Sequence, residues 1–360
     1  MLSTRQKVFV ALSGGVDSST AAALLLEGGY DCTGIFMITS DKSQKAQANA
    51  EEVAKRLGIE LHVLDVRQDF ESILDYFCSE YERGRTPNPC VVCNRHIKFG
   101  KLWNYARDNG ADLLATGHYA RILKVDGQAL PTSGGQVGLY QGTDPTKDQS
   151  YALSMIDKDV LSHVRLPVGG HSKGETRKLA AKFGLGTEQR NESQEICFIP
   201  DDDYVGVLER RCPELVRSGK IVDSNGNVLG EHNGVHRFTI GQRRGLRVAM
   251  GKPYYVVRID AQSNTVTLGP KEEVMHNKLF ATEANWLIDE PKWPFAAIVK
   301  IRYNDSGVKA TVRPQEDGVL VEFDAAISAI TPGQLAVFYV PDENGNRVVG
   351  GAWIDKVTDE

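Results

Sequence analysis

Three of the six cysteines stand where sulfur could do chemistry. Cys90 and Cys93 form a C-x-x-C inside Arg85–Lys98, which reads R-T-P-N-P-C-V-V-C-N-R-H-I-K. That spacing suits zinc, a redox couple or an iron–sulfur cluster. Structural zinc takes four ligands, commonly from two such pairs. No second pair exists, so a mixed site would need Cys197 and a histidine such as His96. Two prolines and two asparagines predict an irregular loop here. Arg85, Arg95 and Lys98 are expected to draw nearby thiols below their usual pKa of about 8.5, favouring the thiolate. Cys197 lies in N-E-S-Q-E-I-C-F-I (Asn191–Ile199); with its apolar flanks it reads, on its own, as a buried core thiol. Cys32, Cys78 and Cys212 belong to no motif and are expected to be structural.

A second stretch carries phosphate chemistry. Ala11–Ser19 reads A-L-S-G-G-V-D-S-S. It follows an apolar run, Val8–Leu12, and precedes an Ala/Leu-rich segment, Thr20–Leu26, with Ser18 and Ser19 as candidate N-caps. Strand, glycine turn and helix in that order present unpaired N–H groups and the positive end of a helix dipole to an anion. Neither G-x-x-x-x-G-K-[ST] nor a G-x-G-x-x-G turn fits. Ser13-Gly14-Gly15-Val16-Asp17-Ser18 instead resembles the PP-loop of ATP pyrophosphatases, which split ATP into AMP and pyrophosphate. That resemblance implies loop amides on pyrophosphate, Asp17 near phosphates and metal, and ATP with Mg2+ as the nucleotide. The alternative is an ordinary strand–turn–helix.

The surrounding elements must position these groups. Cys32–Ile38, Glu60–Val66 and Asp112–Thr116 read as strands. Lys45–Leu57 reads as a helix closed by Gly58, and Phe70, Ile73, Leu74, Phe77 and Tyr81 follow helical spacing. Such alternation predicts a doubly wound parallel sheet, with ligands at the carboxyl ends of strands. The glycine loop, Met37 and Gly117-His118 all fall at such ends; taken alone, Met37 reads rather as core filling, and a turn hydrogen bond explains His118 as well as a ligand contact does. Tyr119–Tyr140 reads as a strand pair with a Gly/Ser-rich tip, Asp144–Tyr151 as a polar turn, and Lys173–Phe183 and Tyr204–Arg211 as helices. Beyond about Pro200 the pattern turns to short strands. His236–Gly245 (H-R-F-T-I-G-Q-R-R-G) reads as a phosphate-facing loop or a solvated turn. From about His276, Ala296–Arg302, Val308–Arg313, Val319–Phe323, Gln334–Tyr339 and Val348–Ile354 suggest a small barrel. The expected division is an α/β PP-loop domain (1–202), a small mixed α+β domain (203–273) and a C-terminal β-barrel (274–360). Hydrophobic residues at 41% support folded cores, and a net charge of −5 restricts any RNA binding to local patches. The start of the chain does not read as a signal peptide, no run is long enough for a membrane span, and the cysteine usage is not that of a disulfide scaffold, so a cytoplasmic location is expected.

Taken together, the motifs resemble the bacterial and organellar tRNA-specific 2-thiouridylase family along nearly the whole chain. The matching stretches are S-G-G-V-D-S (Ser13–Ser18), G-R-T-P-N-P (Gly84–Pro89), C-N-R-H-I-K-F (Cys93–Phe99), A-T-G-H-Y (Ala115–Tyr119) and K-D-Q-S-Y (Lys147–Tyr151). S-Q-E-I-C-F-I (Ser193–Ile199), T-I-G-Q-R-R-G-L (Thr239–Leu246) and T-P-G-Q (Thr331–Gln334) complete the set. The resemblance implies adenylation of the C2 oxygen of the tRNA wobble uridine. Sulfur would then arrive from a persulfide supplied by a cysteine desulfurase or a sulfur-relay protein. By position Cys197 matches the persulfide cysteine and Cys93 its partner nucleophile, the two able to form a transient disulfide. Ala11, Leu12, Ser13, Gly14, Gly15, Val16, Asp17, Ser18, Met37 and Gly117 match nucleotide-contacting positions. Asn88, Pro89 and Cys90 match the loop that receives the target base. His118, Lys147, Asp148, Gln149, Arg302, Tyr303 and Gln334 match tRNA-contacting positions. Two departures stand out: Cys90 where Asp is common, and Glu192 where Asp is usual. With Cys90, the trio Cys90, Cys93 and Cys197 matches the ligand set of a [4Fe–4S] cluster as an alternative to persulfide chemistry. A PP-loop amidotransferase would lack its ammonia source here, and a zinc-binding RNA module would leave Ser13–Ser18 without a role.

Overall fold

The computed structural model describes residues 5–125, 137–190, 196–199, 203–248, 251–289 and 291–358. The first unit alternates strand and helix: β1 (Lys7–Ala11), α1 (Val16–Glu27), β2 (Asp31–Ile38), α2 (Gln44–Leu57), β3 (Leu61–Asp65), α3 (Arg67–Glu82), α4 (Pro89–Cys93), α5 (Leu102–Asp108) and β4 (Leu113–Ala115). A hairpin follows, β5 (Ala120–Lys124) and β6 (Val137–Gln141), then β7 (Val164–Arg165) and α6 (Lys173–Lys182). The tip joining β5 to β6 lies outside the described residues. Five strands form one parallel sheet in the order β3-β2-β1-β4-β7. Apolar Val8, Phe9 and Val10 are fully buried in the central strand, as a sheet covered on both faces requires. The chain order reverses between β1 and β4, which opens a crevice at their carboxyl ends. This is the doubly wound sheet expected.

Two local readings are corrected. Ser18 and Ser19 do not cap α1: Gly15 is the N-cap, and both serine hydroxyls donate back to its carbonyl, at 3.3 and 2.7 Å. The helix therefore begins three residues earlier, and the hydroxyls bond inside its first turn. Nor is the C-x-x-C segment an irregular loop. Pro89, with φ already helical, sits at the first helical position of α4. The helix runs on through a π-helical segment, Asn94–Lys101, into α5. Asn88, with φ −123° and ψ 79°, lies outside the helical region, as the proline that follows it favours.

The second unit carries α7 (Tyr204–Arg211), β8 (Gly219–Asp223), β9 (Val228–His232), β10 (Tyr255–Asp260) and β11 (Thr265–Gly269), paired as β10-β11-β8-β9. The third is a closed six-stranded barrel: β12 (Met275–Trp286), β13 (Phe295–Lys300), β14 (Val308–Gln315), β15 (Gly318–Ser328), β16 (Leu335–Asp342) and β17 (Gly345–Val357), with β12 and β17 sealing it. β12 went unpredicted because its sequence mixes polar and apolar residues without strict alternation. The β5–β6 hairpin adds to the barrel sheet, with Tyr140 and Leu139 of β6 opposite Arg347 and Val348 of β17. One hydrophobic core is shared across that seam, joining Phe9 and Leu114 of the first sheet to Tyr151 and to Leu335, Val337 and Tyr339 of the barrel. No helix among the described residues is long and apolar enough to cross a membrane.

Candidate functional site

The glycine loop is built by hydrogen bonds within itself. The Ser13 backbone N–H donates to Ser18 Oγ at 3.2 Å, and the two hydroxyls lie 3.1 Å apart. Gly14 has φ +74°, and a Cβ there would sit 2.6 Å from Asn49 Cβ and 2.9 Å from Ala50 N of α2, so only glycine lets the loop lie against that helix. From the other side, the turn after β4 closes on α1. A Cβ on Gly117 would meet Ser18 N at 2.6 Å and the Asp17 carbonyl carbon at 2.7 Å. Ala11, Leu12, Ser13, Gly14, Gly15, Val16, Asp17, Ser18 and Gly117 thus converge on one helix N-terminus, a ready anion site. Met37, half-buried on β2, joins the apolar cluster that also holds Cys93 and Phe198. Three groups that sequence reasoning missed border the loop. Lys173 Nζ lies 2.8 Å from both carboxylate oxygens of Asp17, Tyr119 donates its hydroxyl to Asp17 Oδ1 at 2.7 Å, and Arg190 donates to the Gly14 carbonyl at 2.5 Å. Tyr119 closes the A-T-G-H-Y motif, but Lys173 and Arg190 carry no local signal, because each reaches the loop only through folding.

The thiols gather on the neighbouring side. Cys90 and Cys93, three residues apart, share one face of α4. Cys197 is anchored by its neighbour Phe198, whose ring meets Phe70 at 5.8 Å and Phe77 at 5.3 Å on α3. Cys197 is solvent-exposed rather than buried in a core, because Phe198 takes the apolar contact; Cys90 is exposed and Cys93 half-buried. The preceding residues of its motif, Glu192, Ser193, Gln194 and Glu195, lie outside the described residues. The thiol of Cys197 is pushed up to about 11, first by desolvation and then by the like charge of Cys93, while Lys98 opposes both. Desolvation raises Cys90 and Cys93 as well, again against the pull of Lys98. The expected lowering by three cations is therefore overturned. Desolvation outweighs Lys98, and Arg85 is engaged elsewhere, 2.9 Å from Glu80 and 3.0 Å from Asp355. Cys32, Cys78 and Cys212 are buried.

His118 links the two halves. Its Nε2 accepts from Lys98 at 3.4 Å, and its Nδ1 donates to Thr116 Oγ1 at 2.6 Å. Burial, and secondarily Lys98, hold its pKa well below the ordinary value, so the ring is neutral. Lys98 lies within the π-helical segment, a geometry frequent at functional sites.

Other candidate RNA contacts fall into two groups. Asp148 is buried and accepts from Gln141 Nε2, Gly142 N, Ser150 N and Ser150 Oγ at 2.9–3.1 Å, with Lys300 at 3.6 Å. Gln149 pairs with the Tyr119 backbone through both its N–H and its side-chain oxygen. Gln334 donates its amide to the Thr86 and Pro87 carbonyls at 2.9 and 3.1 Å. These three tie elements together. Arg302 and Tyr303, by contrast, are exposed, Lys147 is half-buried, and the Tyr303 hydroxyl feels the charges of Asp148 and Cys90. Arg243 and Arg244 are exposed in the Gly241 turn, whereas His236 and Arg237 are turned to Glu209. Asn88, Pro89 and Cys90 open α4; the Asn88 N–H lies on Tyr76 Oη at 3.4 Å, and Cys90 acts electrostatically on Tyr303.

Comparison with known proteins meets this geometry. Residues 6–201 match the tRNA methyl transferase HUP domain, 206–270 the tRNA methyl transferase PRC-barrel domain and 276–354 the aminomethyltransferase beta-barrel domain. A tRNA-specific 2-thiouridylase MnmA of Carboxydothermus hydrogenoformans is 45% identical, covering 98% of each chain. The enzymes of that name from Magnetococcus marinus and Geobacter metallireducens are each 44% identical, covering 97% and 99% of this chain and 99% and 98% of their own. Full-length identity at this level, over a sheet whose crevice pairs an anion-binding loop with exposed thiols, establishes that the chain belongs to the tRNA-specific 2-thiouridylase family.

Proposed function

We propose that this chain thiolates C2 of the wobble uridine of tRNA at the expense of ATP, with the catalytic roles carried by Asp17, Cys93 and Cys197. The observation that carries the reading is the adjacency of two chemistries. The α1 N-terminus faces the β1/β4 crevice, and Met37 on one side and His118–Lys98 on the other connect it to the three thiols. Ala11–Ser18, Met37 and Gly117 would hold Mg-ATP. The C2 oxygen attacks the α-phosphorus, an oxygen–phosphorus bond forms, and pyrophosphate leaves with the electrons of the broken bond. AMP is then a leaving group that oxide is not. The terminal sulfur of a Cys197 persulfide, loaded by a cysteine desulfurase or relay protein, attacks C2 and expels AMP. The Cys93 thiolate attacks the Cys197 sulfur, breaks the S–S bond and frees 2-thiouridine; a disulfide remains for an external thiol to reduce. Lys98 favours the thiolate at Cys93, and neutral His118 orients that ammonium. Asn88-Pro89-Cys90 receives the base, and Tyr303, beside Cys90, offers an aromatic face to an unstacked uracil. Arg302 and Lys147 meet the backbone, while Asp148, Gln149 and Gln334 hold the surfaces that do so. On this reading, residues 1–202 perform the chemistry, and 203–273 and 274–360 hold tRNA.

Unmodified tRNA incubated with the protein, Mg-ATP and a persulfide source should yield ATP-dependent 2-thiouridine by nucleoside mass spectrometry. Cys93→Ser and Cys197→Ser should each abolish the product while tRNA-dependent pyrophosphate release persists. A fully active single variant would remove that cysteine from the mechanism. The mutual electrostatic influence of Cys90, Cys93 and Cys197 favours one second reading. Three thiols within electrostatic reach of one another would be the ligands of a [4Fe–4S] cluster, which would supply an open iron for sulfide. On that reading only protein prepared without oxygen gives product, and Cys90→Ser is inactive.

A further inference from the structure

Away from the nucleotide crevice, a second group of side chains has the chemistry of a metal site. On α3, Cys78 and Glu82 stand four residues apart and so share a face. Cys212 ends α7, and Glu214 lies in the short 3-10 turn that follows, Pro213–Leu215. Folding brings the two pairs together. The Cys78 thiol donates to the Cys212 sulfur. A carboxylate oxygen of Glu82, one of Glu214 and the Cys212 sulfur all lie within 4.8 Å of one another. Both sulfurs are buried, in an apolar cluster with Phe77, Tyr81 and Leu208, while both carboxylates are exposed. Two carboxylates so close repel each other. Glu82 also closes α3, which has no basic residue in its last turn, and there the helix dipole disfavours an anion. The nearby arginines are engaged elsewhere: Arg83 with Glu80 at 3.2 Å, and Arg211 with Glu71 and Asp75 at 2.6 and 2.8 Å. Among the described residues, no ion pair reaches Glu82 or Glu214.

We propose that Cys78, Glu82, Cys212 and Glu214 bind a divalent cation of the zinc class, which staples the end of α3 to the end of α7. Two thiolates and two carboxylates are four ligands of the kinds that zinc takes. The sulfur donors disfavour Mg2+ and Ca2+, which take oxygen. Tetrahedral zinc, with bonds of about 2.0–2.3 Å, holds its ligand atoms roughly 3.3–3.8 Å apart, so the cluster closes on the ion by at most about 1.5 Å. Each thiol releases its proton to solvent as its sulfur takes the metal. Arg211 favours the thiolate at both sulfurs. The site uses none of the thiols assigned to sulfur transfer. It does steady the Cys197 segment, because Phe198 and Ile199 pack into the same apolar cluster as Cys78 and Cys212.

Cobalt(II), a spectroscopic stand-in for zinc, tests this. The full chain carries Cys90→Ser/Cys93→Ser/Cys197→Ser, so that the crevice thiols cannot ligate, and is kept reduced by a phosphine. One equivalent of Co2+ should give the thiolate-to-cobalt charge-transfer band and the visible bands of a tetrahedral site, and Zn2+ should displace both. Cys212→Ser should remove much of the charge-transfer intensity. Glu82→Gln/Glu214→Gln, at exposed positions that folding does not need, should weaken Co2+ at least about tenfold. Zn2+ should raise the melting temperature of the parent protein and not of that glutamine variant. A missing charge-transfer band would overturn the proposal, as would a band unchanged by Cys78→Ser/Cys212→Ser. So would equal Co2+ affinity in the glutamine variant, because the carboxylates would then be no ligands. A Cys78–Cys212 disulfide in the isolated protein, with no cobalt band after its reduction, would overturn it in favour of a redox pair.

Discussion

At the scale of single residues, the thiols stand in a contest between desolvation and one lysine. The three thiols are raised, Cys197 to about 11, and Lys98 is the cation that opposes this at all three. Replacing it removes a charge that favours thiolate, so thiol pKa values must rise further. Lys98→Met should therefore slow alkylation of Cys93 and Cys197 at pH 8 several-fold and displace the pH profile to higher pH, read by mass spectrometry of the labelled peptides. The same ammonium lowers His118, so in Lys98→Met the His118 pKa should also climb toward its ordinary value, visible in the imidazole NMR titration. An unchanged alkylation profile would place Lys98 outside the thiol environment. The sequence disclosed the cysteines by their motifs, but not the sign of their pKa shifts. Charge can be counted along a chain, whereas desolvation depends on what folds over the sulfur. Likewise Arg85 was legible as a cation and not as the partner of Glu80 and Asp355, which lie five residues back on α3 and across the molecule in β17.

At the scale of elements, the site is a set of close approaches. The turn after β4 abuts the first turn of α1, and Gly117 is the residue that permits it. Gly117→Ala would drive a methyl into two backbone atoms, which cannot yield as a side-chain tip can. Overpacking of this kind typically costs about 1–3 kcal/mol. ATP affinity should fall about tenfold or more with a lower melting temperature, measurable by titration and scanning calorimetry; a silent substitution would mean that β4 and α1 do not meet this way. The parallel strands and α2, α3 and α6 were legible because apolar spacing and closing glycines mark them locally, as when Gly58 ends α2 in a left-handed conformation. The helix through Cys90 and Cys93 was not. Asn and Pro were read as breakers, yet Asn88 precedes the helix and Pro89 occupies the one helical position that suits it. The π-helical segment leaves no mark in composition at all.

At the scale of the whole molecule, the barrel braces the sheet domain. Gln334 grips the Thr86 and Pro87 carbonyls, Thr86 N–H donates to Pro332 O at 3.0 Å, and Tyr151 Oη bridges the Leu335 carbonyl and amide at 3.1 Å. T-P-G-Q and R-T-P-N-P, about 250 residues apart, are thus one joint. Gln334→Ala removes two hydrogen bonds, each worth about 0.5–1.5 kcal/mol, and loosens the loop before Cys90. The turnover of tRNA should drop while ATP affinity stays near wild type; equal losses in both would assign the joint to general stability. No pattern of spacing reveals a joint between distant motifs. The β5–β6 hairpin makes the same dependence visible in time. Tyr140 and Leu139 wait for partners on β17 that lie about 200 residues downstream. At a synthesis rate of about 5–20 residues per second, some ten to forty seconds pass between the emergence of β6 and that of its partner. Throughout that interval the growing chain carries an open sheet edge and an uncovered apolar face, which leaves it open to wrong pairing until β17 arrives.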